Sequence, residues 1–149
     1  MIGRKYLVDN NVLAALTQRQ RASKFFLANC LLPTAVLHEA RGYPDAEQLS
    51  RLEYPPTGRL LGILKEVMAT ISTDDTSLVD LYANLGNADP ILVACALDGI
   101  RETEKGLFGW AWSIASNDKA VRRKAAEFGI EVLSSDEFVA VLDVNSHSR

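Results

Sequence analysis

Short apolar runs alternating with helix-spaced segments limit what this chain can fold into. Tyr6-Leu7-Val8, Cys30-Leu31-Leu32, residues 111–115 and residues 130–133 have strand length, and each is bounded by polar, proline or glycine residues. Between them, residues 12–16, 21–29, 35–41, 60–68 and 119–128 carry helical spacing. Asp89-Pro90 opens a further helix, Ile-Leu-Val-Ala-Cys-Ala-Leu, that is apolar nearly all round and therefore central. Strands alternating with helices predict an α/β domain with a parallel sheet, in which ligands bind beyond the carboxyl ends of the strands.

The remaining segments are assigned with less pattern to work from. Residues 42–58, with Pro44, Pro55 and Pro56, are expected to be a loop or a loosely packed helical arm. Residues 69–72 are expected to form one more short strand, and Asp74, Asp75 or Thr76 to cap the helix that follows. Ser134-x-x-Glu137 is a capping-box pattern, opening a last helix to about Leu142. With 149 residues and no internal repeat, the expectation is one domain over 1–144 and a polar tail over 145–149.

Bulk chemistry narrows the function classes. A net charge of −3 gives no global attraction to a polyanion, which argues against a passive nucleic-acid binder. Cys30 and Cys95 lie far apart in apolar surroundings, so they are expected as buried thiols in a reducing compartment. No apolar stretch approaches the ~18 residues needed to span a membrane, and Met1-Ile2-Gly3-Arg4-Lys5 enters a strand without a signal-peptide core. A cytoplasmic protein is the expectation.

Acidic residues stand at the element boundaries. Asp9 ends the first apolar run and Asp118 follows Ile114-Ala115-Ser116-Asn117. Asp89 precedes Pro90 at a helix start, where it also suits an N-cap, as Asp118 does before Lys119. Several carboxylates directed to the carboxyl ends of parallel strands suit a hard cation better than mutual salt bridging.

Four segments, taken in order, resemble the PIN-domain nucleases. Tyr6-Leu7-Val8-Asp9-Asn10-Asn11-Val12-Leu13 is similar to the family's opening, with Asn10 where a small hydroxyl residue is usual. Val36-Leu37-His38-Glu39-Ala40 resembles its second motif, and this resemblance alone selects Glu39. Ala88-Asp89-Pro90 with the apolar helix resembles the third, and Ser116-Asn117-Asp118-Lys119 with Phe128–Leu133 the fourth. The resemblance implies a three-layer α/β/α PIN-like fold with a central, mainly parallel sheet.

The same resemblance implies a metal-dependent endoribonuclease. Asp9, Asp89 and Asp118 would be metal ligands, and Glu39 a ligand or the group that orients the attacking water. Asn11 and Ser116 would hold carboxylates or waters in place, and Lys119 would approach an RNA phosphate. A carboxylate set without a Cys or His cluster prefers Mg²⁺ or Mn²⁺ to Zn²⁺. Small PIN proteins are often VapC-like toxins of type II toxin–antitoxin pairs, which implies a cognate antitoxin and a homodimer. A housekeeping RNA-processing nuclease and a PIN-like interaction module without catalysis are the alternatives. Lys119, Arg122, Arg123 and Lys124 form a basic cluster, and Trp110 and Trp112 are expected in the core or at a dimer contact rather than against bases.

Overall fold

The computed structural model describes residues 3–70, 89–106 and 109–147, with the side chains of Asp89 and His147 excepted. Five strands form one all-parallel sheet: β1 (Gly3–Val8), β2 (Cys30–Pro33), β3 (Glu53–Tyr54), β4 (Trp110–Ala115) and β5 (Glu131–Leu133), in the order β3-β2-β1-β4-β5. β1 and β4 run side by side for six residues, from Gly3↔Trp110 to Val8↔Ala115. Both begin exposed and end buried, so the carboxyl half of the sheet lies in the core and its amino edge is wet. The buried Leu7, Val8, Ile114 and Ala115 reflect a sheet covered on both faces.

Helices flank the sheet. The first half supplies α1 (Asn10–Ala15), α2 (Gln18–Arg21), α3 (Lys24–Asn29), α4 (Thr34–Glu39), α5 (Ala46–Ser50) and α6 (Gly58–Ala69). The second supplies α7 (Asp89–Glu104), α8 (Lys119–Glu127) and α9 (Ser135–His147). On one face, Phe138 of α9 meets Tyr6 of β1 and Phe26 of α3, with ring centroids 5.3 and 6.4 Å away. On the other, α7 packs against β4, where Gly99 lets the Trp112 indole lie directly on the helix. The apolar run of α7 is accordingly buried from Leu92 to Leu97.

Several expectations hold and others need correction. Ser134 and Glu137 form the capping box, their side chains bonding each other's backbone N–H at 3.2 and 2.8 Å. Both cysteines are buried free thiols, and burial pushes their proton affinity up. The helix expected over 21–29 is two helices, because Thr17 caps α2 with a complete capping box and Ser23 caps α3 anew. Residues 42–58, expected as a loop or a loosely packed helical arm, contain the short helix α5 and also the edge strand β3, which was not expected. Leu49, Leu52 and Tyr54 bury there, and Pro55 and Pro56 follow a strand of only two residues.

At residues 69–72, Ala69 ends α6 and Thr70 caps it instead of starting a strand, while 71–72 lie outside the described residues, as do Asp74, Asp75 and Thr76. α9 continues past Leu142 to His147, through residues 145–147 expected as tail. Among the described residues no helix is long and apolar enough to cross a membrane.

Candidate functional site

The carboxyl ends of β1 and β4 converge on Asp9. Its backbone N–H continues the ladder to the Ala115 carbonyl at 2.9 Å, so the residue is fixed where the two central strands stop. The side chain is buried. Oδ1 accepts from the Asn10 backbone N–H at 2.8 Å, at the N-cap of α1. Oδ2 accepts from Ser116 Oγ at 2.7 Å and from Asn11 Nδ2 at 3.2 Å. Burial raises the proton affinity of this carboxyl. The bonds from Ser116 and Asn10 oppose the rise, and the nearby charges of Asp118 and Glu39 add to it.

A polar lattice ties the first strand's turn to the fourth's. The wholly buried Ser116 also accepts from the Asp118 N–H at 3.1 Å, so one hydroxyl joins both turns. Asn11 Oδ1 accepts from the Asn117 N–H at 3.0 Å. The Asn117 side chain accepts from Ser135 N at 2.8 Å and donates to Ser135 Oγ at 3.1 Å, which fastens the start of α9 to the same turn. Asp118 caps α8, its Oδ1 accepting from Ala120 N and Val121 N at 2.7 and 3.4 Å. The capping reading of Asp118 is thus correct, and it occupies one of the two carboxylate oxygens.

Glu39 stands exposed at the last residue of α4, and the Asn10 side-chain amide donates to its Oε2. The backbone of Asp89 opens α7 at the helix end away from Gly99 and Trp112, and its side chain lies outside the described residues. Lys119 is exposed at the first position of α8. Lys124 departs from the expected basic cluster. It is buried, and its ammonium bonds Thr70 O, Thr70 Oγ1 and Glu127 at 3.0–3.2 Å. Helical spacing turns it inward from Arg122, which is exposed.

The carboxylate donors are chemically suited to a hard divalent cation. Asp9, held by fixed hydrogen bonds and pressed by two like charges, is the kind of carboxylate that such a cation would relieve. Among the described residues, no group of three or more Asp, Glu, His or Cys side chains is arranged to hold a metal ion. Asn10 and Ser135 carry no role that the sequence pattern marks, and Asn117 stands out there only as part of a motif. The signal available was the unbroken polar triplets, Asp9-Asn10-Asn11 and Ser116-Asn117-Asp118, placed directly after buried strands. No protein-family model matches the chain, and no curated protein matches it at a significant level.

Proposed function

We propose that the chain is a metal-dependent endoribonuclease with a three-layer PIN-like fold, acting as the toxin of a toxin–antitoxin pair. The observation that carries the reading is the environment of Asp9. A buried carboxylate at the carboxyl edge of the two central parallel strands is oriented by Ser116 and Asn11, and Asp118 and Glu39 stand close enough to raise its proton affinity.

Mg²⁺ or Mn²⁺ held by Asp9, Asp118 and Asp89 would stabilise charge on the phosphate and lower the pKa of a bound water. The chain's own residues do the positioning. Ser116 and Asn11 fix the direction of the Asp9 carboxylate, and Asn10 restrains Glu39, which serves as a further ligand or orients the attacking water. Lys119, exposed beside Asp118, would meet a phosphate.

The test is cleavage of an end-labelled single-stranded RNA in Mn²⁺ or Mg²⁺. The parent should cleave and stop on chelation. Asp9→Asn, with an unchanged circular dichroism spectrum, should lose at least about a thousandfold in rate, equivalent to about 4 kcal/mol of activation free energy. Equal cleavage by the variant would sink the assignment.

The alternative is a PIN-like interaction module that does not cleave. That reading gains if neither ion supports hydrolysis. A short antitoxin gene beside this one separates the toxin from a housekeeping nuclease.

A further inference from the structure

At the opposite, amino edge of the sheet, both tryptophans of the chain stand over one groove. Trp110 begins β4 and leaves 44% of its surface exposed. Its ring lies over Gly3, where any side chain would collide with it, and the Lys5 ammonium sits 4.2 Å from the ring centroid. Trp112 is set by three neighbours. Its indole N–H donates to Thr103 Oγ1 at 3.1 Å, Gly99 lies against its ring, and Tyr54 meets it edge-on with centroids 6.0 Å apart. The groove has a volume of about 420 Å³.

Arg59 enters the same groove from α6, and its orientation is imposed. Asp98 of α7 is fully buried and accepts from Arg59 Nε and Nη2 at 2.5 and 3.1 Å, and from the Tyr54 hydroxyl at 2.6 Å. Burial pushes the Asp98 carboxyl up, but these bonds outweigh it and leave its proton affinity below the ordinary range. The Arg59 side chain keeps 48% of its surface in solvent, and Glu102 lies 3.5 Å from Nη1. Of the five guanidinium N–H groups, some on the terminal nitrogens therefore still face the groove. The exposed Trp110 indole, an oriented guanidinium and the Glu102 carboxylate as acceptor are elements that recognise a planar heteroaromatic ring bearing N–H groups and an adjoining anion.

We propose that this groove binds a nucleobase of a single-stranded RNA, stacked on Trp110, with Arg59 engaging its phosphate or its acceptor edge. The site goes beyond the proposed hydrolysis and requires neither a metal ion nor the acidic residues. It lies one strand length, about 17 Å at ~3.3 Å per residue, from the turn that carries Asp118. Arg59 lines the groove and Lys5 lies over the Trp110 ring, while Asp98 and Glu102 offset the Arg59 charge, so affinity here rests on stacking and on the guanidinium's remaining N–H groups and not on net positive charge.

Because the two tryptophans are the chain's full complement, intrinsic fluorescence reports on the groove directly. The full chain, kept in chelator to prevent hydrolysis, is titrated with a six-nucleotide oligoadenylate. The parent should show saturable quenching. Trp110→Ala, with Trp112 retained as reporter, should bind about fivefold or more weakly, the smaller end of what one lost base stack costs. Arg59→Lys, which keeps the charge and loses the planar fork, should also weaken binding, and Asp9→Asn should bind as the parent does. Failure of the parent to saturate, or a Trp110→Ala variant that is folded by circular dichroism and binds with parental affinity, overturns the proposal. Loss of binding in Asp9→Asn overturns it as well, because the ligand would then be reporting on the acidic turn.

Discussion

Arg21 donates from Nε and Nη2 to the two oxygens of Asp45, both at 2.9 Å, in a pair almost wholly withdrawn from water. Its third bond runs to the Leu16 carbonyl at 2.8 Å, and the Tyr43 ring lies 4.6 Å from the guanidinium. The pair holds α2 against the chain that leads into α5. The Arg21 hydrogen bonds draw the Asp45 carboxyl below its ordinary range, and this exceeds the opposing effect of burial. A depressed folded-state value means stabilisation that is present above the unfolded value near ~4 and lost as pH falls through the folded one. Asp45→Asn strands the buried guanidinium and should cost about 3–5 kcal/mol at pH 7. Urea unfolding should show that deficit steady down to about pH 5 and shrinking below about pH 4. A deficit independent of pH would show that lost packing, not charge, is the cause.

At the scale of elements, α6 and α7 carry glycines with opposite constraints. A Cβ at Gly99 would fall 2.4–2.6 Å from the Trp112 ring, which Thr103 and Tyr54 keep from moving aside. At Gly62 of α6 nothing lies within 4 Å. Replacing a helical glycine by alanine stabilises the helix by about 1 kcal/mol where there is space. Overpacking a fixed neighbour costs about 1–3 kcal/mol. Gly62→Ala should therefore raise the melting temperature, and Gly99→Ala should lower stability by up to about 2 kcal/mol and shift the tryptophan emission. Two stabilised variants would mean that the indole is free to move.

For the whole molecule, parallel pairing of β1 with β4 brings residues more than a hundred positions apart into one hydrogen-bonded lattice. A cation bound there would be linked to global unfolding, since Asp9, Ser116, Asn117 and Ser135 join the sheet to α1, α8 and α9. On the proposed function, Mn²⁺ at ~100 times its dissociation constant should stabilise the fold by about 2.7 kcal/mol. Thermal unfolding with and without Mn²⁺ should show this shift in the parent and its loss in Asp9→Asn. An equal shift in both proteins would place the ion elsewhere.

The local part of this structure was open to reading from sequence. Strands β1, β2, β4 and β5 follow from apolar runs closed by polar turns, and α6 to α9 from helical spacing and caps. Those signals lie within a few residues of one another, where backbone propensity and side-chain period decide the outcome. β3 carries no such signal. It is two residues long, and its pairing, Leu32↔Glu53 and Pro33↔Tyr54, exists only because β2 offers an open edge. The bonding partner of the inward Lys124 depends likewise on Thr70 arriving beside α8. Asp9, Glu39 and Asp118 could be picked out in the chain, but how closely Asp118 and Glu39 approach Asp9 is set by the tertiary structure. Burial of Asp9 and its bond to Ser116 arise from strand register across 107 positions, and the joining of Trp110, Trp112, Arg59 and Asp98 depends on how α6 and α7 pack over the sheet.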